Sequence, residues 1–340
     1  MGSWLHYLRG AQAYGRFGAN TTAEEVTQGL CLSHLTAIIT GATSGIGAEV
    51  ATVLCKRGAR LILPARNLKK AELLRERLLE INPDARIIAL ELDLASFSSI
   101  RAFAAQFLSL DLPLNILINN AGVFCKTFRR SEEGLEMTFA TNHLGHFLLT
   151  NLLVGRMVES ARTSDVEGRI INVSSCLHSW VSRPGIHFSS LHDPRSYVES
   201  MSYAQSKLAN ILHVKELSRR LKEAGVNVTA NSLHPGIVKT NITRDRGGIF
   251  TDVILAVASK FFMKTVHQGA ATICYVATHP DVKGSSGKYY ADCTEATCSS
   301  CATDDKQAQQ LWAYSEKAVS LHEFHPSEGL SYRFSTQLSV

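Results

Sequence analysis

The chain has 340 residues, 45% of them hydrophobic and 19% charged, which supplies a large buried core and excludes a disordered polymer. Thirty-five basic and thirty acidic side chains leave a net charge of only +5, interspersed and without blocks of like sign, so nucleic acid is not implied as a partner. No apolar run reaches the ~18 residues of a transmembrane helix; Val253 to Phe262 is too short and is interrupted by Lys260.

Residues 1–23 carry Arg9 and Arg16 and no acidic side chain, compatible with an organelle-targeting segment or with an arm lying on the domain surface. His6 stands where a myristoylation signal needs serine or threonine, and the last residues, Gln337 to Val340, are not a peroxisomal address. Apolar runs bounded by turn residues then predict strands at Leu35–Thr40, Arg60–Pro64, Arg86–Leu92, Leu114–Asn119, Gly168–Ser174 and Asn227–Leu233, with a short last one near Lys288–Ala291. Helical patterns fill the gaps. Such alternation predicts an α/β fold, a single Rossmann-type doubly wound parallel sheet of about seven strands with helices on both faces. The expected organisation is an N-terminal segment 1–30, one domain over 31–320 and a tail 321–340.

Within that order, the first strand runs into Gly41-Ala-Thr43-Ser44-Gly45-Ile46-Gly47 and then the helical pattern Ala48 to Leu54. Strand, glycine turn and helix together make a phosphate cradle, because glycine lets backbone approach a pyrophosphate and the helix start offers free N–H groups. Further along, Tyr203-Ala-Gln-Ser-Lys207 places a phenol and an ammonium four residues apart on one helix face. A fixed cation favours phenolate and pulls a tyrosine that ordinarily titrates near pH ~10 toward neutrality, where it can shuttle a proton. A half-buried tyrosine with a lysine stem lying over it is the plainer alternative.

Together with Asn119-Asn120-Ala121-Gly122, Asn142, Ser174-Ser175 and His234-Pro235-Gly236, these motifs resemble the short-chain dehydrogenase/reductase family over roughly residues 35–290. The resemblance implies an oxidoreductase interconverting a carbonyl and an alcohol with a nicotinamide cofactor. Tyr203 then gives the proton, Ser175, as the second of its pair, holds the carbonyl oxygen, Lys207 binds the nicotinamide ribose and depresses the tyrosine pKa, and Asn142 orders a water. Cofactor contacts are expected from Gly41, Thr43, Ser44, Gly45, Ile46 and Gly47, from Asp93 and Leu94 near the adenine, and from Asn120, Ala121 and Gly122. Tyr203, Lys207, Pro235, Gly236, Val238 and Thr240 complete the set. At the end of the second strand, where an acidic residue would bind the NAD ribose, Arg66 and Asn67 stand instead; the Arg66 guanidinium suits a 2′-phosphate, so NADP(H) is expected. Each polar residue also has a structural alternative, as strand end, turn or helix cap.

The segment near 237–265, with Gly247, Gly248, Phe250, Ile254, Leu255, Phe261 and Phe262, resembles the family's substrate lid, which implies a hydrophobic carbonyl or alcohol substrate; its apolar face could equally be core or make peripheral membrane contact. The loop from Ser175 to Tyr203 carries His178, Trp180, His187, Phe188 and His192, whose spacings match no common metal-ligand set; they are expected to flank the cleft, and no metal is expected. Of the eight cysteines, Cys31, Cys55, Cys125, Cys176 and Cys274 read as dispersed thiols. Cys293, Cys298 and Cys301 leave open part of an iron–sulfur pattern lacking its fourth ligand, a surface dithiol, or a plain loop. Thr22 to Gly29, Leu208 to Leu212 and His234 to Thr240 are similar to the plant branch related to the retinol dehydrogenases. That branch includes the short-chain dehydrogenase associated with the chloroplast inner-envelope translocon. It implies a chloroplast location, with the cytoplasm as alternative, a homo- or hetero-oligomer, and as alternative function an NADPH-binding redox-regulatory subunit.

Overall fold

A computed structural model describes residues 16–189, 191, 193–238 and 263–320. The order runs from a short α1 (Ala23–Val26) through β1 (Thr36–Ile39), α2 (Gly45–Lys56), β2 (Arg60–Ala65), α3 (Leu68–Ile81), β3 (Ile87–Glu91), α4 (Phe97–Ser109) and β4 (Ile116–Asn119) to α5 (Gly145–Ser164). It continues through β5 (Gly168–Val173), α6 (Glu199–Glu223), β6 (Val228–His234), β7 (Ile237–Val238), β8 (Met263–Lys264), α7 (Val266–Thr278), β9 (Tyr289–Ala291), β10 (Thr294–Glu295) and α8 (Asp305–Ser320). The main sheet has eight strands in the order β10-β9-β6-β5-β4-β1-β2-β3, all parallel except β10. Seven of these are the strands expected from sequence, with ends shifted by up to two residues. β1 pairs with β2 on one side and β4 on the other, so the chain crosses over in opposite directions from it and opens a crevice beyond the carboxyl ends of the strands.

Burial on both sheet faces explains why the strands read as continuous apolar runs. Ile38 and Ile39, both at 0% exposure, point to opposite faces: Ile38 joins a core built with α4, α5, α6 and α8, whereas Ile39 joins one built with α1, α2, α3 and α7. Trp312 of α8 packs edge-on to Phe147 of α5 at 5.0 Å, closing the first core from outside. From Arg16 onward the N-terminal segment joins the second. Thr22 and Glu25 form a capping box for α1, Ala23 and Val26 are buried, and Phe17 packs against Tyr275 and His279 at 6.0 and 5.3 Å.

Two local features depart from simple alternation. Ala140–Leu144 forms a turn of π-helix before α5, and directly after it a Cβ added to Gly145 would lie 2.3 Å from the Leu94 carbonyl oxygen, so glycine lets α5 press against that loop. The β9–β10 hairpin turns on Asp292 and Cys293, both left-handed at φ 52° and 59°. Cys301 packs in the core at 5% exposure and all eight thiols are free, so the structure shows no surface pair between Cys298 and Cys301. Among the described residues no cluster could hold a metal ion and no helix is long and apolar enough to cross a membrane. The expected lid lies outside the described residues except for its ends, β7 and β8, which pair in parallel. Thr240, His192 and the tail 321–340 also lie outside them.

Candidate active site

The crevice has a cavity of about 410 Å³. At one end the strand β1 delivers Thr40, whose hydroxyl oxygen accepts the backbone N–H groups of Asn120 and Ala121 at 2.9 and 3.0 Å, while the Asn120 amide donates to the Thr40 carbonyl at 2.9 Å. These bonds lash the glycine turn to the turn after β4. Gly41 and Gly45 have positive φ, 69° and 57°, and a Cβ on Gly47 would stand 2.4 Å from the Gly41 carbonyl oxygen. Ser44, the N-cap of α2, makes no side-chain cap bond, so the first-turn N–H groups carry no cap from it and sit beside the cavity. A cradle closed to any side chain, with a helix start beside it, fits the pyrophosphate of a dinucleotide.

Behind the cradle, His146 Nδ1 lies 3.1 Å from the Asn142 carbonyl, which can only accept, so Nδ1 carries the proton and Nε2 accepts from the Thr40 hydroxyl at 2.9 Å. Burial pushes this imidazole down to about 4, consistent with the neutral form. Asn142 is fully buried in the π turn. Its amide grips both polar atoms of the Val123 backbone, at 2.8 and 3.0 Å, and donates to Ser206 of α6 at 3.0 Å.

The reactive end is where β5 meets α6. Lys207, 3% exposed, donates to the Val173 carbonyl at 2.9 Å, and its ammonium lies 5.6 Å from the centroid of the Tyr203 ring; burial lowers its pKa to about 8. Phe124 covers the Tyr203 ring at 5.3 Å. The adjacent serines differ. Both border the cavity, but Ser174 is buried and donates its proton to the Lys207 carbonyl at 2.7 Å, whereas the Ser175 oxygen accepts the Leu177 N–H at 3.2 Å, a bond that leaves the hydroxyl proton for another acceptor.

Of the remaining residues singled out in the sequence, Thr43, Ser44, Ile46, Arg66, Asp93, Leu94, Asn120, Ala121, Gly122, Pro235, Gly236 and Val238 line the cavity with the glycines, Ser175, Tyr203 and Lys207. Arg66 is exposed at its rim. Asp93 accepts the Ala95 N–H at 2.9 Å through one carboxylate oxygen. Asn67 does not line the cavity; its side-chain oxygen caps α3 at Lys70 N. Asn142 stands behind the wall rather than in it. Among the lining residues not expected from sequence are Pro64, Ala65, Leu92, Val123, Thr141, Val173, Cys176, Leu177 and Ile237, apolar or small residues whose only signal was their place beside the motifs. Of the loop histidines, His178 is buried and His187 exposed, and neither lines the cavity.

A family profile described as short chain dehydrogenase matches residues 35–247. The chloroplastic short-chain dehydrogenase TIC 32 B of Brassica napus is 53% identical over 303 residues, spanning 89% of this chain and 94% of that protein. Human retinol dehydrogenase 14 is 43% identical over 300 residues, covering 84% and 86% of the two chains. The crystal structure of L-sorbose reductase from Gluconobacter frateurii, complexed with NADPH and L-sorbose, superposes with a TM-score of 0.60 at 21% identity over 77% of this chain and 95% of its own, a likeness of fold.

Proposed function

The chain belongs to the short-chain dehydrogenase family, an oxidoreductase family served by nicotinamide dinucleotides, and from that premise we propose that it reduces the carbonyl of an apolar aldehyde or ketone with NADPH, reversibly. The observation that carries this reading is the convergence of Tyr203, Lys207 and Ser175, from two separate elements, on one cavity that also holds the glycine cradle. Gly41 to Gly47 and the start of α2 hold the pyrophosphate, Asp93 and Asn120 to Gly122 the adenosine side, and Lys207 with Pro235, Gly236, Val238 and Thr240 the nicotinamide half. Arg66 takes the 2′-phosphate. Bound there, the cofactor supplies the hydride.

The protein's part is orientation and proton delivery. The Ser175 hydroxyl donates to the substrate carbonyl oxygen and disperses the charge that develops on it. Tyr203 donates its phenolic proton to that oxygen, and the Lys207 ammonium stabilises the phenolate left behind. Asn142 orders the relay indirectly, since its amide is spent on Val123 and Ser206. Apolar substrates are supported by Val123, Leu177, Ile237 and Val238 in the cavity wall and by likeness to a retinol dehydrogenase; the chloroplast location is supported by likeness to chloroplastic proteins.

Turnover of a panel of apolar aldehydes and ketones, retinal included, tests this with wild-type and Tyr203→Phe protein, NADPH binding being followed by calorimetry. Loss of about a hundredfold or more in kcat with unchanged NADPH affinity is expected. Tight NADPH binding with no turnover by the wild type would instead favour a nucleotide-sensing role.

A further inference from the structure

We infer that His178 and His234 are a pair of positioning residues that grip the single peptide group following Ser175 and so aim the Ser175 hydroxyl. This rests on the reading of Ser175 as the residue that holds the substrate oxygen. The peptide between Ser175 and Cys176 has two polar atoms, and each is held by an imidazole: the carbonyl oxygen accepts His178 Nδ1–H at 2.7 Å, and the N–H donates to His234 Nδ1 at 3.3 Å. The carbonyl also accepts the His178 backbone N–H at 3.1 Å.

Neither ring is free to change role. His178 is fully buried, its ring lies 5.2 Å from that of Tyr289, and its far nitrogen accepts the Ser299 N–H at 3.1 Å. A carbonyl on one side and an N–H on the other dictate one tautomer, with the proton on Nδ1. His234, at the end of β6, must keep Nδ1 unprotonated to receive the Cys176 N–H. Burial holds both imidazoles low, at about 4 and about 3, which keeps them neutral at physiological pH.

The consequence for Ser175 is geometric. Its backbone is extended, with φ −154° and ψ 153°, and the plane of the following peptide sets ψ. The Cα that carries the hydroxymethyl group is therefore immobilised by both histidines, while the hydroxyl oxygen is steadied by Leu177 N–H. Preorganisation of this kind acts on the transition state, not on nucleotide binding.

A double-mutant cycle tests it, using the panel aldehyde with the highest kcat/KM. Ser175→Ala is expected to lower kcat about 10²- to 10³-fold. His178→Phe should lower kcat about tenfold with the NADPH Kd and substrate KM within about twofold of wild type, and His178→Asn, whose amide can still donate to the Ser175 carbonyl, should restore most of the loss. In the Ser175→Ala background His178→Phe should have no further effect. If His178→Phe does not fold, His178→Gln, which keeps a buried amide but displaces the donor, takes its place in the cycle. Losses that multiply in the double variant, or Asn and Phe variants equally impaired, overturn the clamp while leaving Ser175 in its role. Full turnover by Ser175→Ala removes the role of Ser175 itself, and the clamp with it.

Discussion

Lowering the pH from about 7 to 5 is expected to remove most of the protein's stability before its carboxylates begin to protonate. Five histidines, His143, His146, His178, His213 and His234, are between 0% and 8% exposed. Burial holds His146 and His178 at about 4, His213 and His234 at about 3, and His143 well below its usual value. In the unfolded chain each titrates near ~6.5. Between these values the unfolded chain binds protons that the folded one refuses, so the stability given by neutral burial is complete above about 6.5, falls as the pH drops below it, and is gone once the folded values are passed. Each group held at about 4 or lower contributes about 1.4 kcal/mol per pH unit within that window, hence about 2 kcal/mol from pH 6.5 to 5 and about 8 kcal/mol for the four, with His143 acting in the same direction. That compares with a whole-domain stability of roughly 5–15 kcal/mol. Equilibrium urea unfolding followed by tryptophan fluorescence at several pH values from 7.5 to 5 measures it, and the slope of stability against pH should approach at least four protons taken up per chain on unfolding. A stability at pH 5 within about 2 kcal/mol of that at pH 7 refutes the reasoning, since the imidazoles would then have to be accepting protons in the folded state.

Two further outcomes follow from the same cleft. Because burial lowers Lys207 to about 8, its cation is lost as the pH rises through that value, and kcat/KM for aldehyde reduction should decline above about pH 8; a profile that stays flat to pH 9.5 contradicts a role for the lysine charge. Arg66→Asp removes the fork at the cavity rim, and should raise KM for NADPH at least about tenfold relative to NADH in steady-state assays, whereas an unchanged ratio would assign Arg66 to the solvated surface.

What could be read from the sequence was what is local along the chain. Seven strands were legible because each is an apolar run closed by turn residues, and the glycine turn because its spacing sits between a strand and a helix. β10 was not, since it is two residues long and its turn uses Asp292 and Cys293 in a conformation where glycine or asparagine would be the signal. The π turn that buries Asn142 leaves no trace in hydrophobic periodicity. Asn67 was expected at the cofactor, but its oxygen serves the helix that begins beside it. His178 reaches its peptide locally, three residues on, but His234 meets the same peptide only because β5 and β6 are neighbours in register, Val173 opposite Leu233, a relation that spacing cannot convey.

The same neighbourhood explains how the reactive groups are held in place. Bonds join the end of β5 to α6 at Ser174 hydroxyl to the Lys207 carbonyl, Lys207 ammonium to the Val173 carbonyl at 2.9 Å, and Asn210 amide to that same carbonyl at 3.2 Å, with the Asn172 amide one residue earlier meeting the Asn210 carbonyl and His213 Nδ1 at 3.3 and 3.2 Å. Ser174 and Lys207 therefore spend buried polar capacity on locking strand to helix, and Ser175 directly follows Ser174. On the other side of Ser175 the chain is held by the Ser175–Cys176 peptide that His178 and His234 grip, so the residue is anchored both before and after its Cα. The distance between Tyr203 and Ser175 is thus a property of packed, hydrogen-bonded elements and not of a loop, which is the condition for a carbonyl oxygen to meet both donors at once.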